Sequence, residues 1–251
     1  MHEPLYSEQE SIIVHKTVGT VSEMNRYPVK SFAGERLDSC IIERYGILGD
    51  RFAAFYDEAR SGWDRFVTAR DIPRMLKYES RMEDGEIKVT APDGRTFGWD
   101  ETLLAEIQQY TETPISLSRV KEPHPEDSRL LSVDCESILI VTDATMRKLA
   151  KAWGGRLDNR RFRGNIVVTI EDDSMFEGDW VGRVLAIGDV QLKVERACVR
   201  CVMITIDPET GEKDMSLLKQ VTRDYNTEFG VYCSVVRTGQ IRLGDQVRLI
   251  E

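Results

Sequence analysis

Along most of the chain, apolar and polar residues alternate over short runs, the pattern of half-buried strands rather than of long helices. Ser11–Ser22 (SIIVHKTVGTVS) is enriched in β-branched residues and leads into Arg26–Ser31, where Pro28 suits a strand end or edge. Strands are predicted next over Leu37–Glu43, Arg51–Tyr56 and Arg65–Thr68, separated by glycine-rich turns. Glu86–Thr90 and Arg95–Gly98 flank Pro92-Asp93-Gly94, a turn that makes the pair a hairpin. Further strands are predicted at Asn165–Ile170, Val184–Ile187, Val190–Arg196, Val202–Ile206, Val231–Arg237 and Gln246–Ile250.

Two segments break this pattern with a helical period. Asp100–Tyr110 places Leu103, Leu104 and Ile107 on one face. Asp143–Trp153 does the same with Met146, Leu149 and Ala150, with Thr142 or Asp143 as cap and Gly154-Gly155 as stop. Lys121–Ser128 (KEPHPEDS) is polar, holds two prolines and predicts a loop, dividing the chain into residues 11–120 and 121–251. Many short strands, frequent glycine turns and few short helices predict a mainly β chain (α+β) of barrel or sandwich type. The missing alternation of strand with long helix argues against a doubly wound sheet. No G-x-G-x-x-G follows a strand, and no phosphate-loop, H-E-x-x-H or G-x-S-x-G motif occurs.

Composition narrows the class further. With 251 residues, 41% of them hydrophobic and 31% charged, the chain can bury a real core under a well-solvated surface. No apolar run reaches the roughly 18 residues that cross a bilayer. The acidic, polar start MHEPLYSEQESIIVHK is unlike a signal or transit peptide, so no membrane partner and a cytoplasmic location are expected. A net charge of −9 argues against nucleic-acid binding, which needs a basic face. It leaves room for a locally basic pocket around one small anion.

Five cysteines, at 40, 135, 198, 201 and 233, are expected to be free thiols. Cys198 and Cys201 form a C-x-x-C within RACVRCVMITIDPETG, and several chemistries use such a pair. Structural zinc wants four ligands, whereas His2, His15 and His124 are scattered and Cys40, Cys135 or Cys233 could join only through the fold. A redox dithiol wants a helix N-terminus, and both flanks here are strand-like. Two small buried cysteines in a strand are a third reading; residues three apart then sit on opposite faces, so at most one meets a given pocket.

Arginines sharpen the question. Arg196 and Arg200 flank the cysteines, Arg51 follows Leu48-Gly49-Asp50, and Arg160, Arg161 and Arg163 precede Gly164-Asn165. Arginine beside cysteine favours thiolate and can clamp a phosphate with paired hydrogen bonds. Clustered at turns, these residues make either a solvated face or an anion pocket with a metal end.

The ordered motifs YPVKSFAG (27–34), YGILGDRFAAFYDE (45–58), FVTARDIPRML (66–76), LSVDCESILIVTDATMRKL (131–149), RRFRGNIVV (160–168) and ACVRCVMITIDPETG (197–211) carry a resemblance. From about Ile13 to Glu251 the chain resembles the MOSC-domain family with its N-terminal β-barrel region, and is similar to the amidoxime-reducing components and their bacterial relatives. The resemblance implies a MOSC β-barrel (121–251) packed against an N-terminal β-barrel-like domain (11–120).

It further implies molybdenum cofactor (Mo-molybdopterin), a pterin phosphate whose dithiolene sulfurs hold the metal. Cys201 matches the cysteine that ligates molybdenum and is the catalytic position; Cys198 does not. Lys30, Ser31, Arg51, Thr142, Asp143, Ala144, Arg163, Val199, Arg200 and Tyr232 match the positions that hold the pterin and its phosphate, the turn at 142–144 through free backbone N–H groups. The implied reaction reduces N-hydroxylated compounds, R–NHOH + 2e⁻ + 2H⁺ giving amine and water, with Asp207 or Asp143 as candidate proton relays. With no four-cysteine cluster motif, electrons would come from a separate ferredoxin- or cytochrome-like donor and its reductase. A non-enzymatic cofactor or sulfur carrier is the alternative the same family offers. Two positions depart from its pattern: Gly164 where proline is frequent, which is expected to loosen the turn at Arg163, and Val199 where serine is frequent.

Overall fold

Seven strands close into a barrel that takes its first strand from the start of the chain and the other six from its second half. The computed structural model describes residues 15–118, 136–170 and 175–250. The staves are β1 (His15–Arg26), β2 (Ile138–Thr142), β3 (Ile166–Thr169), β4 (Val184–Ile187), β5 (Val190–Val199), β6 (Glu228–Arg237) and β7 (Gln246–Ile250). Their order is β3-β2-β6-β5-β4-β7-β1, and β1 returns to β3 to close the ring. All neighbours are antiparallel except β2 and β3, which run parallel. Along β1 the partner changes: His15 faces Ile250 and Thr20 faces Gln246 of β7, while Thr20 also faces Thr169 and Met24 faces Ile166 of β3. Gly19 permits this approach, since a Cβ there would lie 2.3 Å from the Thr169 carbonyl oxygen.

Inward residues of alternate strand positions fill the barrel, among them Val21, Met24, Ile140, Ile166, Leu192, Val231 and Leu249. Helices α1 (Glu101–Gln108), α2 (Asp143–Trp153) and α3 (Met215–Tyr225) lie outside it. Met146 and Leu149 of α2 and Leu217 and Val221 of α3 form a second apolar layer with Val141, Val167, Ile204, Phe162 and Phe229. A third core gathers Phe32, Phe55, Met75, Tyr78, Ile87, Leu103 and Ile107 from the first half of the chain with Ile206 from the second. Around it are the small sheets Glu79–Glu83/Glu86–Thr90/Thr96–Phe97 and Ile115–Leu117/Phe55–Asp57/Phe66–Val67. Gly239–Arg242 reaches back to pair with Ser39–Glu43. The loop expected at 121–128, and with it the division at 120/121, lies outside the described residues; strand pairings cross that division in both directions.

Several local expectations change. Arg26–Ser31 is not a strand beyond Arg26: its backbone bonds go to a turn, with Arg51 N–H donating to the Tyr27 carbonyl (2.7 Å) and Lys30 N–H to that of Ala53 (2.8 Å). Arg51–Tyr56 is strand only from Phe55, because Arg51 adopts φ 52°. Val202–Ile206 forms a 3-10 turn over Val202–Thr205 instead of a strand, since the Arg161 guanidinium donates to the Ile204 and Thr205 carbonyls and the Thr205 hydroxyl to that of Val202. α3 was not predicted, although Asp214 caps it and Leu217 and Val221 mark a helical face.

Candidate active site

Three turns converge beside the end of β5, and each carries a non-glycine residue in left-handed conformation: Ser31 (φ 70°), Arg51 (φ 52°) and Arg163 (φ 53°). Such residues cost about 1–3 kcal/mol each and persist where their surroundings over-determine them. Here Asp50 does so. Its buried carboxylate accepts the Tyr27 backbone N–H (2.7 Å), the Asn165 side-chain amide (3.2 Å) and the Arg51 guanidinium. Asn165 in turn accepts from Leu139 N–H at 3.1 Å, fixing the turn to β2. The guanidinium carbons of Arg51 and Arg163 lie 4.7 and 4.2 Å from the centre of the Tyr27 ring, within cation–π reach. Burial raises the Tyr27 phenol's pKa even though both guanidiniums oppose it. The Gly164 carbonyl, which any residue at this position would offer, accepts from Asn25 Nδ2 at 3.1 Å and from the Tyr27 hydroxyl at 3.4 Å.

β5 supplies the thiol. Cys198 is 2% exposed, while Cys201, just past the strand end, is exposed and opens the Val202–Thr205 turn. The expectation that both cysteines lie in one strand does not hold: the strand ends at Val199, so Cys198 is buried within it while Cys201 is exposed at the turn that follows. Arg200 does not present a free fork. Its Nε donates to the Phe229 carbonyl (2.8 Å) and its Nη1 to that of Phe162 (2.9 Å). Its Nη2, fully buried, has no hydrogen-bond partner among the described residues.

These parts enclose an open cleft of about 740 Å³ lined by Lys30, Ser31, Arg51, Arg163, Arg200, Cys201 and Tyr232. Arg70 and Arg161 bring its cationic side chains to six, against one carboxylate, Glu136. A wider cleft of about 1110 Å³ adjoins it, sharing Lys30, Thr68, Arg70, Cys201 and Tyr232. Val199, expected beside the cofactor, is 68% exposed and lines this outer cleft, not the inner one. The Lys30 ammonium lies 5.7 Å from the ring centre of Trp63 and 5.2 Å from that of Phe66.

Thr142, Asp143 and Ala144 line neither cleft. The N-terminus of α2, expected to receive a phosphate, faces a carboxylate of the chain itself. Thr142 donates its hydroxyl to Glu177 at 2.8 Å, and Thr145 donates to the same oxygen. Asp143 accepts from Ile170 N–H (3.1 Å) and pairs with Arg147 (2.6 Å), and Ala144 is packed into the barrel core. Asp207, a candidate proton relay whose place before Pro208 also predicts a turn, shapes that turn by accepting from Glu209 and Thr210 N–H, and pairs with Arg161 at 2.6 Å. Asp50, Asn165, Tyr27, Thr68 and Arg70 were missed as site residues. All five fall inside the quoted motifs; Arg70 could have been found by its residue type, while the roles of Asp50, Asn165, Tyr27 and Thr68 are set by where the turns meet.

The MOSC domain family matches residues 127–248, and the MOSC N-terminal beta barrel domain family matches residues 18–126. The chain belongs to the MOSC-domain family. Among its relatives, Mitochondrial amidoxime reducing component 2 of Bos taurus is 28% identical over 92% of this chain and 83% of its own length. Mitochondrial amidoxime-reducing component 1 of Homo sapiens is 26% identical over 93% of this chain and 83% of its own length. Molybdenum cofactor sulfurase of Bombyx mori is 31% identical over 55% of this chain, which is 17% of that protein. The YUAD protein of Bacillus subtilis shares the fold, with a TM-score of 0.53 and 13% identity over 96% of this chain and 99% of that one.

Proposed function

We propose that this MOSC chain binds molybdenum cofactor and reduces N-hydroxylated compounds, such as amidoximes and hydroxylamines, to amines. The observation that carries the proposal is one exposed thiol, Cys201, opening onto a cleft with six cationic side chains and one carboxylate. That donor set fits a sulfur-held metal on an anionic pterin phosphate: a thiolate is a soft ligand, and guanidiniums match phosphate geometry. The unpartnered, buried Nη2 of Arg200 adds a donor awaiting an acceptor.

When bound, the cofactor would supply two-electron oxygen-atom chemistry. The chain's residues do the rest. Cys201 presents its sulfur at the junction of the two clefts. Lys30, Arg51, Arg163 and Arg200 supply positive charge for the phosphate and pterin, and the Asp50 network holds Arg51 and Arg163 in their unusual backbone conformations. Electrons would come from a separate ferredoxin- or cytochrome-like protein and its reductase. A cytoplasmic location belongs to the same proposal; several relatives are named as mitochondrial, and cell fractionation decides.

The test is protein made in a cofactor-competent host, assayed for molybdenum and for benzamidoxime reduction with a chemical reductant. About one molybdenum per chain with turnover supports the reading. Retained molybdenum without turnover replaces it with a non-enzymatic cofactor or sulfur carrier, and absence of the metal from wild-type protein overturns both.

A further inference from the structure

We propose, resting on the reading that Cys201 holds the metal, that the short turn Asn159–Phe162 clamps the chain on both sides of this thiol and that Arg161 is its positioning residue. Cys201 is exposed and lies between the end of β5 and the Val202–Thr205 turn, so neither a strand nor a helix holds it. Its sulfur can meet a metal in one place only if the backbone on each side is fastened.

On the N-terminal side, Arg200 N–H donates to the Thr227 carbonyl (2.8 Å) and Arg200 Nη1 to that of Phe162 (2.9 Å). On the C-terminal side, Ile204 N–H donates to the Cys201 carbonyl at 3.3 Å and closes the turn. A 3-10 turn this short makes few bonds of its own, and the carbonyls of buried Ile204 and Thr205 need donors. Arg161 supplies one to each: its Nη1 donates at 3.3 and 3.0 Å, while its Nη2 pairs with Asp207 at 2.6 Å. Two consecutive residues, Arg161 and Phe162, thus fasten the chain after and before the thiol. The next residue, Arg163, lines the inner cleft, so one segment sets the spacing between the sulfur and a cation for the cofactor's anion. The Arg161 side chain is 5% exposed, and both ends of its fork are engaged within the protein. It therefore positions the thiol, whereas a paired grip on phosphate would need both ends free.

Arg161→Lys separates position from charge, because lysine keeps the cation but not the planar fork. A methanethiosulfonate nitroxide is attached to Cys201 in the full chain made without cofactor and carrying Cys135→Ser, since Cys40, Cys198 and Cys233 are buried. Electron paramagnetic resonance then reads the label's mobility in Arg161→Lys, Arg161→Gln, Asp207→Asn and Ile187→Ala, the last a barrel-core control. Retained molybdenum is measured in the same variants, unlabelled, from a cofactor-competent host. Both arginine variants are expected to shorten the label's correlation time about threefold and to lower retained molybdenum about tenfold. Asp207→Asn should move both readouts less and in the same direction. Ile187→Ala should move neither, although its cavity lowers stability. A label as rigid as in the wild type in folded Arg161→Lys overturns the clamp, as does equal mobility in Ile187→Ala. If the arginine variants fail to fold, a wild-type label in Asp207→Asn overturns it instead. The expected mobility changes in a protein that holds no molybdenum even as wild type sustain the clamp and overturn the cofactor reading.

Discussion

Asn165 donates its side-chain amide to the carboxylate of Asp50 at 3.2 Å, tying the turn that carries Arg163 to the one that carries Arg51. Because the same carboxylate takes the Tyr27 N–H, one buried group sets three turns at once. Asp50→Ala leaves two buried donors and a guanidinium without an acceptor. A loss of about 3 kcal/mol or more is expected, read from urea unfolding. Molybdenum retention should fall with it, although Asp50 is not among the residues lining the inner cleft.

The cysteine pair separates by two independent readouts. Cys201→Ser should abolish molybdenum retention and leave the urea midpoint nearly unchanged, within about 0.5 kcal/mol, since its side chain is exposed. Cys198→Ser should keep the metal and cost about 1–3 kcal/mol, because it puts a hydroxyl in an apolar, buried position. The reverse metal result would assign the ligand to Cys198.

Glu177 gives a pH dependence with a definite sign. Burial raises its pKa, against the opposing hydrogen bonds from Thr145, Thr142 and the Gly230 N–H. The native state therefore holds a proton that the unfolded chain has already released. Its contribution to stability falls as pH rises from about 4, the ordinary carboxylate range, through the raised native value. Glu177→Gln removes this titration, so its stability relative to wild type should improve steadily with pH. Urea midpoints of both proteins across that range check it, and a parallel pair of curves would count against the assignment.

Gly230 sits at φ 77°, where a Cβ would come within 2.8 Å of a Val141 methyl, 2.9 Å of the Ile140 carbonyl oxygen and 3.2 Å of Arg200 Nη2. Gly230→Ala is expected to destabilise by about 1–3 kcal/mol and to shift the Arg200 guanidinium. The accompanying loss of molybdenum retention should exceed that of a surface Gly→Ala such as Gly85→Ala, where a Cβ meets nothing.

Much of this was legible in the chain, for identifiable reasons. α2 runs over Asp143–Trp153 as its period, cap and terminal glycine predict, and the hairpin around Gly94 forms at its turn. These are local signals. What failed was non-local. Nothing near Thr142 shows that Glu177 will occupy the helix N-terminus from 35 residues away. Nothing near Val202 shows that Arg161 will take the carbonyls that a neighbouring strand would otherwise have bonded. The resemblance in motif order pointed to Lys30, Ser31, Arg51, Arg163, Arg200, Cys201 and Tyr232, which meet in one cleft. It could not reveal Asp50 as their common support, because that role exists only once the turns touch.

The placement of β1 also governs when the protein can become whole. As the chain is made, His15–Arg26 emerges before any of its barrel partners, and its neighbour β7 is the last stave to appear. Within the first half of the chain its strand partner is Glu35–Arg36, which pairs with Asn25 and Arg26 and leaves the rest of the strand to staves made later. The ring shuts only when Gln246–Ile250 is free to reach it. Two stretches that match two separate families thus share one ring, and cutting between them would leave that barrel short of a stave.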